Sequence, residues 1–152
     1  MKPCRRHLKA ALAIALLSAL LSVRAAGDEP IGFRVVINPA SVVTSVSRDE
    51  LSKIFLRKTL AWRSGNAEAA LPVDQRESSP VREVFTTWVH RRSLQAVLFY
   101  WQQQVFSGRG APPPERSSDT SVMEYVAENP GAVGYVSPNA KLNGVKAIQV
   151  QE

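Results

Sequence analysis

Arg76, Glu77, Ser78, Ser79 and Arg82 crowd into one short stretch, VDQRESSPVREVF, residues 73–85. Two guanidinium groups and two hydroxyls this close together can donate several hydrogen bonds to one small anion, and a carboxylate among them can accept a proton from a protonated one. That is chemistry of holding rather than of bond breaking. The groups need a frame, and the flanking residues supply one. Leu71 and Val73 read as a short β-type run, and Asp74–Ser79 as a polar turn. Val81, Val84, Phe85 and Trp88 then recur at i, i+3, i+4 and i+7, one face of a helix running to His90. Ser79 fits the N-cap, and Pro80 the first helical position, where no backbone N–H is needed. A strand that turns into a helix start leaves N–H groups free in the positive field of the helix end, which suits an oxyanion. The plainer reading of the same residues is a capped helix with a solvated Arg82, and Arg76 as a surface charge paired with Glu77.

Other chemistries lack their parts. Beyond residue 25 the chain has one histidine, His90, and no cysteine, so neither a metal site nor a Ser-His-Asp relay can be assembled. No GxxxxGK[ST] run is present to cradle phosphates. His90 is expected at a helix C-terminus beside Arg91 and Arg92, as a cation complementing the dipole. Trp62, Trp88 and Trp101 are expected in the core. No catalytic residue, metal or cofactor is expected.

The N-terminus is read as a cleavable signal peptide, residues 1–25. Lys2, Arg5, Arg6 and Lys9 form a basic n-region, Ala10–Val23 an apolar h-region, and Val23-Arg24-Ala25 a small-residue cut site. The apolar run falls short of the roughly 20 residues that span a bilayer; a retained anchor is the alternative. The Leu-rich core favours the general secretory route over a twin-arginine one, and the destination expected is the periplasm. Five of the 19 Lys and Arg residues leave with this segment, while all 13 acidic residues stay, so the net charge falls from +6 to +1. A nucleic-acid partner is therefore not expected. Residues 26–152 are the length of one domain with its own core.

The rest of the chain alternates strands and helices. Phe33–Ile37 reads as a buried strand ended by Asn38-Pro39. Ser47 and Glu50 form a capping box for a helix with Leu51, Ile54 and Phe55 inward, ending near Lys58. A Ser64-Gly65-Asn66 turn follows. Ser93 caps a long helix whose core stripe is Leu94, Val97, Leu98, Trp101 and Val105. Ser107–Ser117, with two glycines and three prolines, is a connector of polyproline character. Ser121–Glu124 reads as another capping box, with Val122, Tyr125 and Val126 inward. Ala132–Val136 and Val145–Val150 are the last strands. Strands interleaved with helices make an α/β sheet covered by helices.

Taken together, VVINP (35–39), SRDELSKIF (47–55), Trp62, VDQRESSPVREVF (73–85), FYWQQQVFSGRGAPP (99–113) and ENPGAVGYVS (128–137) resemble the phosphate-binding periplasmic proteins of ABC importers, and more narrowly their short single-lobe relatives. The resemblance implies a single lobe of a type-2 periplasmic-binding-protein fold, a mixed sheet covered by helices. It also implies an anion site at a strand-to-helix turn carrying an Arg, an Asp and a Ser-Gly-Thr run. With Phe85 as anchor, Glu77 aligns with the Asp and Ser79 with the Ser, while Pro80 and Val81 replace the Gly and Thr, and Gln75 replaces the Arg. A shift by one that recovers Arg76 loses the other matches. The expected function is an exported solute-binding module without enzymatic activity, holding phosphate or a similar oxyanion weakly at Arg76, Glu77, Ser78, Ser79 and Arg82. Its partners would be a membrane permease or periplasmic protein, or a second copy completing the cleft as a homodimer. The alternative is a protein-interaction module that kept the lobe and lost the ligand.

Overall fold

Successive side chains along β1 (Arg34–Ile37) enter two different cores, and this alternation organises the molecule. The computed structural model describes residues 31–63 and 68–152; the signal segment 1–25 and the Ser64-Gly65-Asn66 turn lie outside the described residues. The other elements are β2 (Ser45–Ser47), α1 (Arg48–Phe55), β3 (Leu71–Pro72), β4 (Asp74–Gln75), α2 (Pro80–His90), α3 (Leu94–Phe106), β5 (Glu115–Arg116), α4 (Asp119–Glu128), β6 (Ala132–Val136) and β7 (Lys146–Gln151). Five strands form one sheet in the order β2-β7-β1-β6-β3. β6 and β7 run antiparallel to β1, β2 is parallel to β7, and β3 is parallel to β6. The sheet is thus mixed, as expected. β4 and β5 pair separately, in parallel.

Val35 and Ile37 of β1, with Val133 and Tyr135 of β6, face α1 and α2, where Leu51, Ile54, Phe55, Phe85 and Val89 close the larger core. Phe85 stacks on Tyr135 with ring centroids 3.8 Å apart, and Phe33 and Phe55 approach Phe85 at an angle. Val36, Ala132 and Val136 face the other way, onto Val122, Met123 and Val126 of α4. Gly134 lets α4 lie close, since a Cβ there would sit 2.6 Å from Val122 Cγ1 and 2.9 Å from Val73 Cγ1. Asn38 ties the end of β1 to the end of α4, its amide donating to the Val126 and Ala127 carbonyls at 2.9 and 3.0 Å. Those are among the carbonyls a helix end leaves without partners.

Several expectations need correction. α1 ends at Phe55 rather than near Lys58, because Arg57 turns left-handed at φ 52°. Ser47 caps α1, but Glu50 does not close the box; its carboxylate accepts the Arg63 N–H at 2.7 Å. α4 starts at Asp119, with Ser118 as its N-cap, and Ser121 is the reciprocal partner three residues on rather than the cap itself. On α2, Val84 is 42% exposed while Arg82, Thr86 and Val89 are buried, so the inward face is rotated from the expected stripe. On α3, Val97 and Trp101 are buried against Leu56, but Val105 is 53% exposed. Trp62 and Trp101 are core, while Trp88 is only partly buried, under the Arg48 guanidinium. The short strands β2 and β5 escape the sequence pattern altogether.

Candidate oxyanion site

β4 delivers the chain to the turn before α2, and its two residues are both buried. Gln75 does the joining. Its side-chain Nε2 donates to Asp119 Oδ1 at 2.9 Å and to the Tyr135 carbonyl at 3.0 Å, and its Oε1 accepts from Ser79 Oγ at 2.6 Å. Ser79 does sit at the N-cap of α2, but its hydroxyl serves Gln75 and caps no helix N–H, contrary to the expected capping role. Pro80 follows it as expected. Asp119 accepts in addition from the Ser137 N–H at 3.2 Å, so one carboxylate links the end of β6, the start of α4 and the turn before α2.

Arg82 is not solvated. It is 1% exposed and points beneath the turn, where Nη2 meets Asp74 Oδ2 at 3.1 Å, Nη1 meets Glu115 Oε1 at 2.6 Å, and Nη1 also donates to the Gln75 carbonyl. The Tyr135 hydroxyl donates to Asp74 Oδ1 from the other side. Burial pushes the Asp74 carboxyl above the ordinary aspartate range, with Arg82 and then the Tyr135 hydroxyl pulling the other way. Burial, reinforced by the Asp74 charge, raises Tyr135 and keeps it a protonated donor. Arg82 therefore has two protein carboxylates, buried Asp74 and surface Glu115, in place of a ligand. Neither Asp74 nor Glu115 was singled out by the sequence pattern; the signal available was an arginine within a helix face otherwise apolar.

Outside this network lies an open hollow of about 500 Å³, bounded by the N-terminal turns of both α2 and α4. Ser78 and Ser79 line it from one side, Ser117 and Ser118 from the other, and Ser137 from the end of β6, with Arg76 as its cation and Asp119 as its acid. Arg76, Glu77 and Ser78 are exposed, and Arg76 makes no ion pair with Glu77 or any other described residue. Of the five expected residues, the fold thus brings Arg76, Ser78 and Ser79 to one hollow. Arg82 is withdrawn beneath it, and Glu77 lines the neighbouring groove beside α3. Two helix N-termini aimed at one space add their positive ends there.

His90 is corrected from the expected cation. It is partly buried, its Nδ1 lies 2.9 Å from Ser52 Oγ, and burial together with Arg92, Arg82 and Lys58 lowers its pKa to about 4. It is neutral at pH 7, and Arg91 takes the left-handed cap position at the end of α2.

The mixed sheet with helices on both faces, and a hollow at strand ends where two helices begin, define one α/β lobe. Comparison with known proteins identifies the chain as a relative, over part of their length, of the phosphate-binding proteins of ABC importers. It is similar to the phosphate-binding protein PstS of Bacillus subtilis (strain 168), with 28% identity over 112 residues, 70% of this chain and 31% of that protein. An ABC-type phosphate transport receptor from Vibrio cholerae shares the fold at a TM-score of 0.62 with 26% identity, covering 78% of this chain and 46% of the receptor. A putative phosphate ABC transporter substrate-binding protein from Clostridium perfringens, solved with bound phosphate, superposes at a TM-score of 0.59 with 17% identity, covering 78% of this chain and 44% of that one. The chain therefore spans about a third of the curated relative and less than half of each solved receptor. No family model matches it. These relatives are binding proteins, and among the described residues no helix is long and apolar enough to cross a membrane.

Proposed function

We propose that this chain is an exported, non-enzymatic solute-binding module that holds phosphate or a similar oxyanion weakly at the hollow between α2 and α4. The observation that carries this reading is the convergence of two helix N-termini, the serines around them and Arg76 on one open space. Arg76 and Ser78 are the proposed donors to the ligand, Ser79 holds the turn through its bond to Gln75, and Arg82 fixes it from below. Residues 1–25 serve as the export signal and residues 26–152 as the binding lobe, in the periplasm, where a permease or another periplasmic protein receives it. Isothermal titration with phosphate and with sulfate tests the reading. Saturable heat in the millimolar range, lost in Arg76→Ala, is the expected result. No heat from folded protein at about 10 mM ligand, about tenfold above the expected dissociation constant, overturns it.

A second reading is favoured by a specific observation. Gln75, Pro80 and Val81 stand where the receptor pattern has Arg, Gly and Thr, and Arg82 is satisfied internally by Asp74 and Glu115. A lobe altered in this way fits a protein-interaction module that no longer needs a ligand. It requires Ser79→Ala and Arg76→Ala to leave the biological phenotype intact, and loss in either variant removes it.

A further inference from the structure

The described residues hold 14 Lys and Arg, and six of them belong to α1 with its exit loop and to the end of α2: Lys53, Arg57, Lys58, Arg63, Arg91 and Arg92. All six are exposed, and none enters an ion pair among the described residues. They share one face. Ser52 Oγ, 2.9 Å from His90 Nδ1, ties α1 to the end of α2. Lys53, Arg63 and Arg91 line one hollow beside that tie. Beyond its own burial, His90 feels Arg92 and Lys58 from close by, and Arg57 stands next to Lys58 in the left-handed turn that ends α1. The acids nearby do not cancel these charges. Glu50 is buried and accepts the Arg63 N–H, Glu68 accepts from Ser41 Oγ, and Glu152 pairs with Arg48 at 3.6 Å. Asp49 and Glu83 remain exposed, two against six. In the same loop, Thr59 reaches the hollow and Leu60, next along the chain, is 60% exposed.

We propose that this face docks on an anionic phospholipid bilayer, its six cations above the lipid phosphates and Leu60 entering the headgroup layer. The residue types decide the occupant. A small anion in the hollow would meet only three of the six cations. An acidic protein would need carboxylates at fixed positions opposite long, flexible side chains, each of which loses rotamer freedom on pairing. Lipid phosphates are mobile and gather beneath such side chains without a set register, each cation near the surface contributing about 1 kcal/mol, a factor of about five. The exposed leucine points the same way, because apolar area adds to the charge attraction at a lipid surface and adds nothing against a soluble polyanion. The proposed oxyanion hollow lies at the opposite end of α2, about 15 Å along its axis, so a docked lobe keeps that hollow open to solution.

Co-sedimentation of the exported protein, recovered from the periplasm, with large unilamellar vesicles tests the proposal without phosphate and independently of phosphate binding. The expected result is binding to vesicles of phosphatidylglycerol and phosphatidylethanolamine, none to phosphatidylcholine alone, and release at about 0.5 M salt. Lys53→Gln with Lys58→Gln and Arg92→Gln keeps the far-UV circular dichroism and lowers the partition coefficient about a hundredfold, and Arg92→Gln alone about fivefold. Leu60→Ser lowers it about tenfold and leaves retention on a heparin column unchanged. No binding to the anionic vesicles, which would hand the face to an acidic protein, overturns the proposal. Equal binding to phosphatidylcholine overturns it too, as does a triple variant that binds like the unaltered protein. Binding that Leu60→Ser does not weaken replaces the lipid surface with a general polyanion contact.

Discussion

Arg82 shows how a single side chain can look like ligand chemistry and serve the core. In sequence it stands with Arg76 and the serines; in space it lies beneath the turn between Asp74 and Glu115. Those partners are eight and 33 residues away, and no local pattern announces them. Arg82→Met leaves Asp74 buried with no cation, and the expected loss is about 3–5 kcal/mol by denaturant unfolding. Adding Asp74→Asn removes the orphaned charge and recovers part of that loss, whereas a fall no smaller in the double variant would mean the pair is not coupled. His90 makes a pH-dependent contribution. Its pKa is about 4 in the fold against 6.5 ordinarily, so between those values the unfolded chain binds more protons. Stability should therefore be lost as pH falls through that window, by up to about 3 kcal/mol. Asp74 acts in the opposite sense, its raised pKa favouring the fold as it protonates. The His90 share is thus read as the difference between the protein and His90→Gln, which should lack the acid slope. Parallel stability curves for the two would count against it. The position of His90 near a helix end was legible, but its neutrality depends on burial and on the cations Arg92, Arg82 and Lys58 around it, and burial is not displayed by the sequence.

Among the elements, those with strong periodicity could be read and those held by a neighbour could not. Ala132–Val136 was expected as a strand and is one, because every residue is apolar or small and buried on both faces. β2, β4 and β5 are two or three residues long and exist through their pairing with β7 and with each other. The α4 boundary slipped because Ser118 and Ser121 both resemble caps, and only the Ser118 position leaves Asp119 free to join Gln75 and the Ser137 N–H. The same helix depends on a missing side chain. Gly134→Ala should push α4 off β6 and cost about 1–3 kcal/mol, seen as a lower thermal midpoint, because the new methyl would meet Val122 of α4 and Val73 between β3 and β4. An unchanged midpoint would show that α4 can shift without cost. In the candidate site, the strand-to-helix corner was legible, but the second helix N-terminus facing it was not. Some 40 residues separate the two turns, and the β4–β5 pairing and the Gln75 bridge bring them together.

At the scale of the molecule, the chain has the lobe fold at less than half the length of the solved receptors it matches. A ligand in the hollow would be contacted from one side and remain wet on the other, where each hydrogen bond contributes only about 1 kcal/mol net. The calorimetric affinity for phosphate should accordingly stay near about 1 mM, and sulfate should bind within a few-fold, since an open site discriminates poorly. Micromolar, phosphate-selective binding would refute the one-sided geometry. The sheet order has a separate outcome. β7, residues 146–151, is an inner strand between β1 and β2, so the hydrogen-bonded framework stays open until the ribosome has made that segment. A nascent chain lacking it offers β1 with one bare edge and β2 with nothing to pair with. Because β7 follows both of its neighbours in the chain, the sheet closes from its interior, and only after the strands on either side have been made.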